Sequence, residues 1–289
     1  MNELNRVKRE MKAGISACSN GRSRKSEKDY EELMAVLRES GAKPVPAPHI
    51  YARTDKFSGT DEERAADLMR FYKDDSIDVI FDISGGDLAN GVLKYLDFDV
   101  IAASDKTFWG YSDLTTVINA IYTMTGRSSV LWQIENMVWE NAELQRERFR
   151  SYLNGNPDGL FGINYRFVQG DRMEGILVGG NIRCFAKLAG TKYWPDLRGK
   201  ILFLESFGGE SGQIATLMAQ LEQIGAFDQV AGVLLGTFTN YERANLELTV
   251  YDLLKMHISE DLPVAVTREV GHGYDAKALV IGKKMSFCR

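Results

Sequence analysis

From residue 13 onward, short apolar runs alternate with amphipathic helical patterns, an order that admits little besides a parallel α/β sheet. AGISACS (13–19) reads as a first strand, and the helix after it puts Tyr30, Leu33, Met34 and Leu37 on one face before Gly41 stops it. KPVPAPH leads through a polar loop to TDEERAADLMRFY, where Thr60 and Glu63 have capping-box spacing. SIDVIFDIS (76–84), the Gly85-Gly86 turn, the helical ANGVLKYL and a strand ending at WGYSD (109–113) continue the alternation. The charged helix ENAELQRERFRSYL then runs into NGNPDGLFG (154–162), whose turn residues mark a linker. That divides the chain into one domain over 1–153 and a second over 163–289. The second is expected to open with a hairpin, INYRFVQGDRMEGILVGG, turning at Gly170-Asp171. Strand and helix then resume with KILFLES (200–206), a helix carrying Ile214, Leu217, Met218 and Leu221, VAGVLLGTF (230–238) and PVAVTREVGHG (263–273).

Several function classes drop out on composition. At 289 residues and 44% hydrophobic, the chain can bury a large core, so a disordered chain is not expected. A net charge of −5 offers no broad basic field, so nucleic acid is not an expected partner. Cys18, Cys184 and Cys288 are odd in number and lack metal-ligand spacing, which predicts reduced thiols in a cytoplasmic protein; no cofactor is expected. The N-terminal MNELNRVKREMKAG has no apolar leader core, and nowhere do about 18 apolar residues run together, so neither export nor a membrane span is expected.

Ligands of α/β folds gather at the carboxyl ends of strands, where loops are free to vary. The polar residues at those ends are Ser84-Gly85-Gly86-Asp87, Ser112-Asp113, Glu205, Thr237, Glu269 and His272. They include a hydroxyl, a carboxylate and an imidazole, the groups a serine hydrolase needs. Ser112 fits two roles, helix N-cap and nucleophile on a tight turn, and spacing alone favours the cap because GYSD lacks the second glycine of G-x-S-x-G. Its hydroxyl would need an imidazole to take the proton. His49 follows a proline-rich segment and His257 lies in a helical pattern, which leaves His272, between Gly271 and Gly273, as the best base. Glu205 ends the apolar ILFLE, where an ionised group is costly without such a partner. Should that strand end be misplaced, Glu210 is the alternative carboxylate, and Glu269 reads as a solvated loop charge. The amide of Asp113 and one from Gly85-Gly86 could hold an oxyanion. Gly85, Asp87 and Trp194 are candidates to touch substrate, Trp194 with the alternative of a packed loop beside Tyr193 and Pro195. Arg183 and the Arg22 cluster could each meet a substrate carboxylate.

Taken in order, SGTDEERAADLM (58–69), GGDLANGVLKYLD (85–97), GYSDLTTV (110–117), GGNIRCFAKLAGT (179–191), GKILFLES (199–206) and GHG (271–273) resemble the LD-carboxypeptidase family of serine peptidases. The resemblance spans nearly the whole chain. It implies a cytoplasmic enzyme that removes the terminal D-alanine of murein tetrapeptides in peptidoglycan recycling. Residue by residue it implies Ser112 as nucleophile, Glu205 as triad carboxylate and His272 as base, with Gly86 and Asp113 forming the oxyanion hole. It further implies a Rossmann-like N-terminal domain, a smaller β-rich α/β C-terminal domain, a homodimer and no metal. Two departures bear on the substrate: many relatives have arginine before the paired glycines and a His-Gly-Pro or Tyr-Gly-Pro run after the next strand, where this chain has Ser84 and LWQIENMV (131–138). The GGD and L-E-S spellings lean toward the branch that includes the microcin C immunity peptidases, whose substrate is a peptidyl-nucleotide.

Overall fold

The computed structural model describes residues 11–289; the charged stretch 1–10, read above as carrying no leader, lies outside the described residues. Two sheets of six strands form the framework. The first holds β1 (Met11–Ser16), β2 (Ala42–Pro46), β3 (Val79–Asp82), β4 (Thr107–Gly110) and β5 (Ser129–Leu131). The second holds β6 (Arg166–Gln169), β7 (Arg172–Asn181), β8 (Ile201–Ser206), β9 (Gly232–Phe238) and β10 (Val264–Val266). Near the C-terminus, β11 (Leu279–Ile281) returns to the first sheet and β12 (Lys284–Cys288) to the second.

In the first sheet the order is β11-β5-β4-β3-β1-β2, with β1 to β5 parallel and β11 antiparallel on β5. This is the Rossmann-like domain, and the chain reverses direction across the sheet at β1 and β3, the place where ligands settle in such folds. β3 is buried at every position, as a strand covered on both faces must be. Beneath it lies an aromatic core of Phe81, Trp109, Trp132 and Phe149, with Trp132 and Phe149 stacked at 5.8 Å; it fixes β4 and β5 against the helix Ala142–Leu153. The capping box at Thr60 and Glu63 forms as expected and starts the helix Asp61–Lys73.

The second sheet runs β12-β7-β8-β9-β10-β6, with four parallel strands between two antiparallel edges. The hairpin expected around Gly170-Asp171 does not form: β6 pairs with β10, at the far side of the sheet from β7. The reason is legible in β7, whose run Leu177-Val178-Gly179-Gly180 is buried on both faces and suits a central parallel strand, not an alternating hairpin arm. The 154–162 segment contains a short helix, Asp158–Phe161, and β11 brings residues from beyond it back to the first sheet.

The sheets are registered by direct bonds. Asn119, on the helix Thr115–Thr125 that follows β4, exchanges two bonds of 2.8 and 2.9 Å with the backbone of Gly179, and Thr115 Oγ1 accepts from the Asn181 amide at 3.0 Å. A Cβ on Gly180 would lie 2.6 Å from Thr115 Oγ1, so this approach requires glycine. Asn181 is in turn aligned with Glu205 across β7 and β8. The carboxyl ends of β4 and β8 are thereby held at one cleft.

Candidate active site

β4 ends at Gly110, and Ser112 follows with φ +52°, a backbone region a serine enters only when its surroundings enforce it. It is not a helix cap: the helix Thr115–Thr125 begins after Leu114, and Ser112 opens a single 3₁₀ turn instead. Its hydroxyl lies 3.1 Å from Nε2 of His272. On the other side of the ring, Nδ1 lies 2.6 Å from Glu205 Oε2. With Nδ1–H donating to the carboxylate, the lone pair of Nε2 faces the serine hydroxyl. Glu205 is fully buried at the end of β8.

The imidazole is held between rings, Tyr111 at 4.5 Å and Phe207 at 5.2 Å between centroids. Tyr111 is buried, and burial together with the neighbouring Glu205 charge raises its phenol well above the usual range, so it stays protonated. The loop bearing His272 spans from β10 in one sheet to β11 in the other. Asn136 donates to the Gly273 carbonyl, Gln145 to those of Tyr274 and Ala276, and Trp132 to Ala276 as well, at 2.8–3.4 Å. LWQIENMV therefore supports the histidine loop from below.

The Gly85-Gly86 turn faces the serine: a Cβ on Gly85 would lie 3.9 Å from that of Ser112. Gly86 has φ +118°, and a side chain there would collide with Asn20. Buried Asp82 organises this region, accepting from Ser16, from the Cys18 amide and from both the amide and hydroxyl of Ser84, so Ser84 is part of the loop's scaffold. Asp113, also fully buried, ties three segments together. It accepts from Ser19 Oγ at 2.6 Å, from the Ala89 amide at 2.8 Å and from Lys187 Nζ at 2.5 Å, while Lys187 also donates to the Asp87 carbonyl at 3.0 Å.

A cleft of about 1200 Å³ opens over Ser112 and His272. Gly85, Gly86 and Asp87 line it, as do Arg183, Glu210, Trp139 and Tyr274. Asp87 pairs with Arg183 at 2.6 Å and Lys56 at 3.2 Å, and these cations hold its carboxyl down at about 2. Trp194 is not among the lining residues: it packs on Phe185 with ring centroids 4.5 Å apart, the packed-loop alternative. Glu210 sits at the start of the helix Ser211–Gln223 and does not reach His272. Glu269 is bound by the Asn164 amide and Lys277, and Arg22 is paired with Glu135. His49 and His257 pair with Asp67 and Glu222, away from the cleft. Cys18 and Cys184 are buried with raised thiol pKa values, and among the described residues no group of three or more His, Cys, Asp or Glu could hold a metal ion. Tyr111, Phe207 and Lys187 were not singled out from sequence. For the first two the available signal was adjacency, since each borders a triad motif.

Comparisons with known proteins follow the same lines. The family model for the LD-carboxypeptidase N-terminal domain matches residues 13–131, and that for the LD-carboxypeptidase C-terminal domain matches 174–287. A Bacillus subtilis protein named a probable murein peptide carboxypeptidase is 30% identical over 267 residues, covering 89% of this chain and 83% of its own. The microcin C7 self-immunity protein MccF of Escherichia coli is 25% identical over 294 residues, covering 86% and 82%. Among solved structures, MccF in complex with glutamyl sulfamoyl guanosine matches with a TM-score of 0.86 at 22% identity, covering 96% of this chain and 92% of that one. Muramoyltetrapeptide carboxypeptidase from Oxalobacter formigenes matches at 0.81 and 22%, covering 96% and 95%. At such identities the structural matches speak to the fold.

Proposed function

The chain belongs to the LD-carboxypeptidase family, and from that premise we propose that it is a serine carboxypeptidase that releases the terminal D-alanine of murein tetrapeptides. The observation that carries this reading is the relay from Ser112 through His272 to Glu205, at 3.1 and 2.6 Å, with the serine on a strained turn. In this mechanism Nε2 of His272 takes the Ser112 proton as Oγ attacks the scissile carbonyl. Glu205 keeps Nδ1–H oriented and offsets the charge of the imidazolium. The amides of Gly86 and Asp113 receive the oxyanion. His272 then gives its proton to the leaving nitrogen; in the second half it takes a proton from water as the water oxygen attacks the acyl carbonyl, and returns it to Ser112 Oγ as the C–O ester bond breaks. The enzyme is proposed to act in the cytoplasm as a homodimer, with no cofactor.

A second reading, cleavage of a peptidyl-nucleotide amide, is favoured by one feature of the cleft. Trp139 and Tyr274 meet edge to face at 6.0 Å in its lining, a surface on which a base could stack. Both readings use the same three residues. The test is mass-resolved product analysis after incubating wild type and Ser112→Ala with murein tetrapeptide and with aspartyl sulfamoyl adenosine. D-alanine release by wild type alone is expected. Cleavage of the adenosine conjugate alone would move the substrate to the second class, and turnover by Ser112→Ala would remove the serine mechanism.

A further inference from the structure

Two cations converge on one carboxylate at the edge of the Gly85-Gly86 turn. Arg183 donates through Nη1 to Asp87 at 2.6 Å and through Nη2 to the Gly86 carbonyl at 2.9 Å, and Lys56 Nζ reaches the other Asp87 oxygen at 3.2 Å. Asp87 stays ionised at neutral pH, so the trio carries a net charge of about +1. Fold stability gives little reason for this arrangement, because half-exposed ion pairs contribute little, and the Arg183 and Lys56 side chains are 51% and 64% exposed. Each retains donors: a guanidinium has five N–H groups and an ammonium three. All three residues line the cleft that contains Ser112.

Position gives the charge a meaning. The guanidinium touches the carbonyl of Gly86, the residue assigned above to the oxyanion hole, so it borders the part of the cleft where the scissile carbonyl would bind. The carboxylate of a leaving amino acid lies three bonds from the scissile carbon, with its oxygens roughly 5 Å away. A planar guanidinium matches carboxylate and phosphate geometry alike.

We propose that Arg183 and Lys56, drawn together by Asp87 beside the Gly86 carbonyl, form the subsite for the single negative charge carried by the substrate's leaving half. That charge is the free carboxylate of a released amino acid or the phosphate-like linker of a nucleotide conjugate. The subsite rests on the hydrolase reading above and specifies what that hydrolase selects. It also explains Asp87: alone, two cations 3 Å from a turn would repel each other, and the carboxylate holds both in place while leaving one charge for the ligand.

The experiment measures Kd by calorimetry in the Ser112→Ala background, which binds without turnover, for three ligands: a tetrapeptide ending in D-alanine, the same peptide as its C-terminal carboxamide, and aspartyl sulfamoyl adenosine. Arg183→Met and Lys56→Met are then added singly. If the charge is a carboxylate, the free acid binds about tenfold more tightly than the amide, and either substitution brings that ratio toward one. If it is the linker, acid and amide bind alike and both substitutions weaken the adenosine conjugate by a similar factor. Lys56→Met does not touch Gly86, so it guards against a loss caused by disturbing the turn. Equal weakening of acid and amide, or no change with any ligand, would overturn the subsite. The hydrolase reading fails separately, if wild type turns over none of the three and a fluorophosphonate probe leaves Ser112 unlabelled.

Discussion

The first sheet delivers Ser112 to the cleft by bending backbone, whereas the second delivers Glu205 by burying a carboxylate, and His272 comes from the loop that joins the two. Ser112 sits at φ +52° just past β4, a conformation that costs on the order of 1–3 kcal/mol for a residue with a side chain. Glu205, by contrast, lies one residue before the end of β8, where the register with β9 shifts, and its cost is desolvation of a fully buried carboxylate, offset by the 2.6 Å bond to His272. The two costs respond differently to mutation. Backbone strain belongs to the turn and persists for any residue with a Cβ, whatever lies beyond it. A buried charge depends on its partner and becomes a liability when the partner goes.

The largest effect tests the strained side. Ser112→Ala is expected to lower kcat by about 10⁶ with little change in Tm. Ser112→Gly should be equally inactive yet more stable by about 1 kcal/mol, since glycine enters this region freely. Steady-state hydrolysis and thermal denaturation check both, and a destabilised glycine variant would show that the turn is not strained. Next comes the charged side: Glu205→Gln keeps the shape but loses the charge that holds His272, with a loss of about 10⁴ in kcat expected. Retention of activity within tenfold would show that the carboxylate's charge is not needed.

The same division explains what could be read before the structure. Ser112, Glu205 and His272 all stood at strand ends, because apolar runs announce strands and the polar residue that closes each run announces a site. The relay needed only that the three ends converge. Features that depend on partners far along the chain left no local mark. Lys187 meets Asp113 across 74 residues of sequence, and FAKLAG gives no sign that its lysine does more than face solvent. β6 and β7 read as hairpin arms because a Gly-Asp turn joins them, while their true neighbours, β10 and β8, lie about 95 and 25 residues further on by strand spacing. Trp194 illustrates a different limit: an aromatic next to proline has the same sequence whether it stacks on a ligand or, as here, on Phe185.

Lys187 is where the two halves meet, and it offers the third test. Lys187→Met would remove the cation paired with buried Asp113 and leave Ser19 and Ala89 as its donors. A loss of about 3–5 kcal/mol in stability is expected, together with a loss of about 10² in kcat as the Gly85-Gly86 turn shifts relative to Ser112. Denaturant unfolding and kinetics on the same preparation would show both. Loss of stability with kcat intact would mean that the clamp serves the fold alone.

The smallest effect lies at Asp87, on the exposed rim. Its carboxyl falls from an ordinary value of 3.8 to about 2, first through the Arg183 bond and then through Lys56. A depressed carboxylate stabilises the folded state above the unfolded value and ceases to do so as pH falls through the folded one. The contribution is therefore nearly whole above about pH 4 and gone only below about pH 2, and at 43% exposure solvent screening holds it under about 1 kcal/mol. Asp87→Asn should flatten that part of the stability curve between pH 4 and 2 and lower stability at pH 7 by the same contribution, under about 1 kcal/mol. The same substitution would free Arg183 from its tether, so any rise in KM at neutral pH reads out positioning of the cation and not the strength of the fold. An unchanged acid limb would show that the Asp87 pairs do not survive in solution.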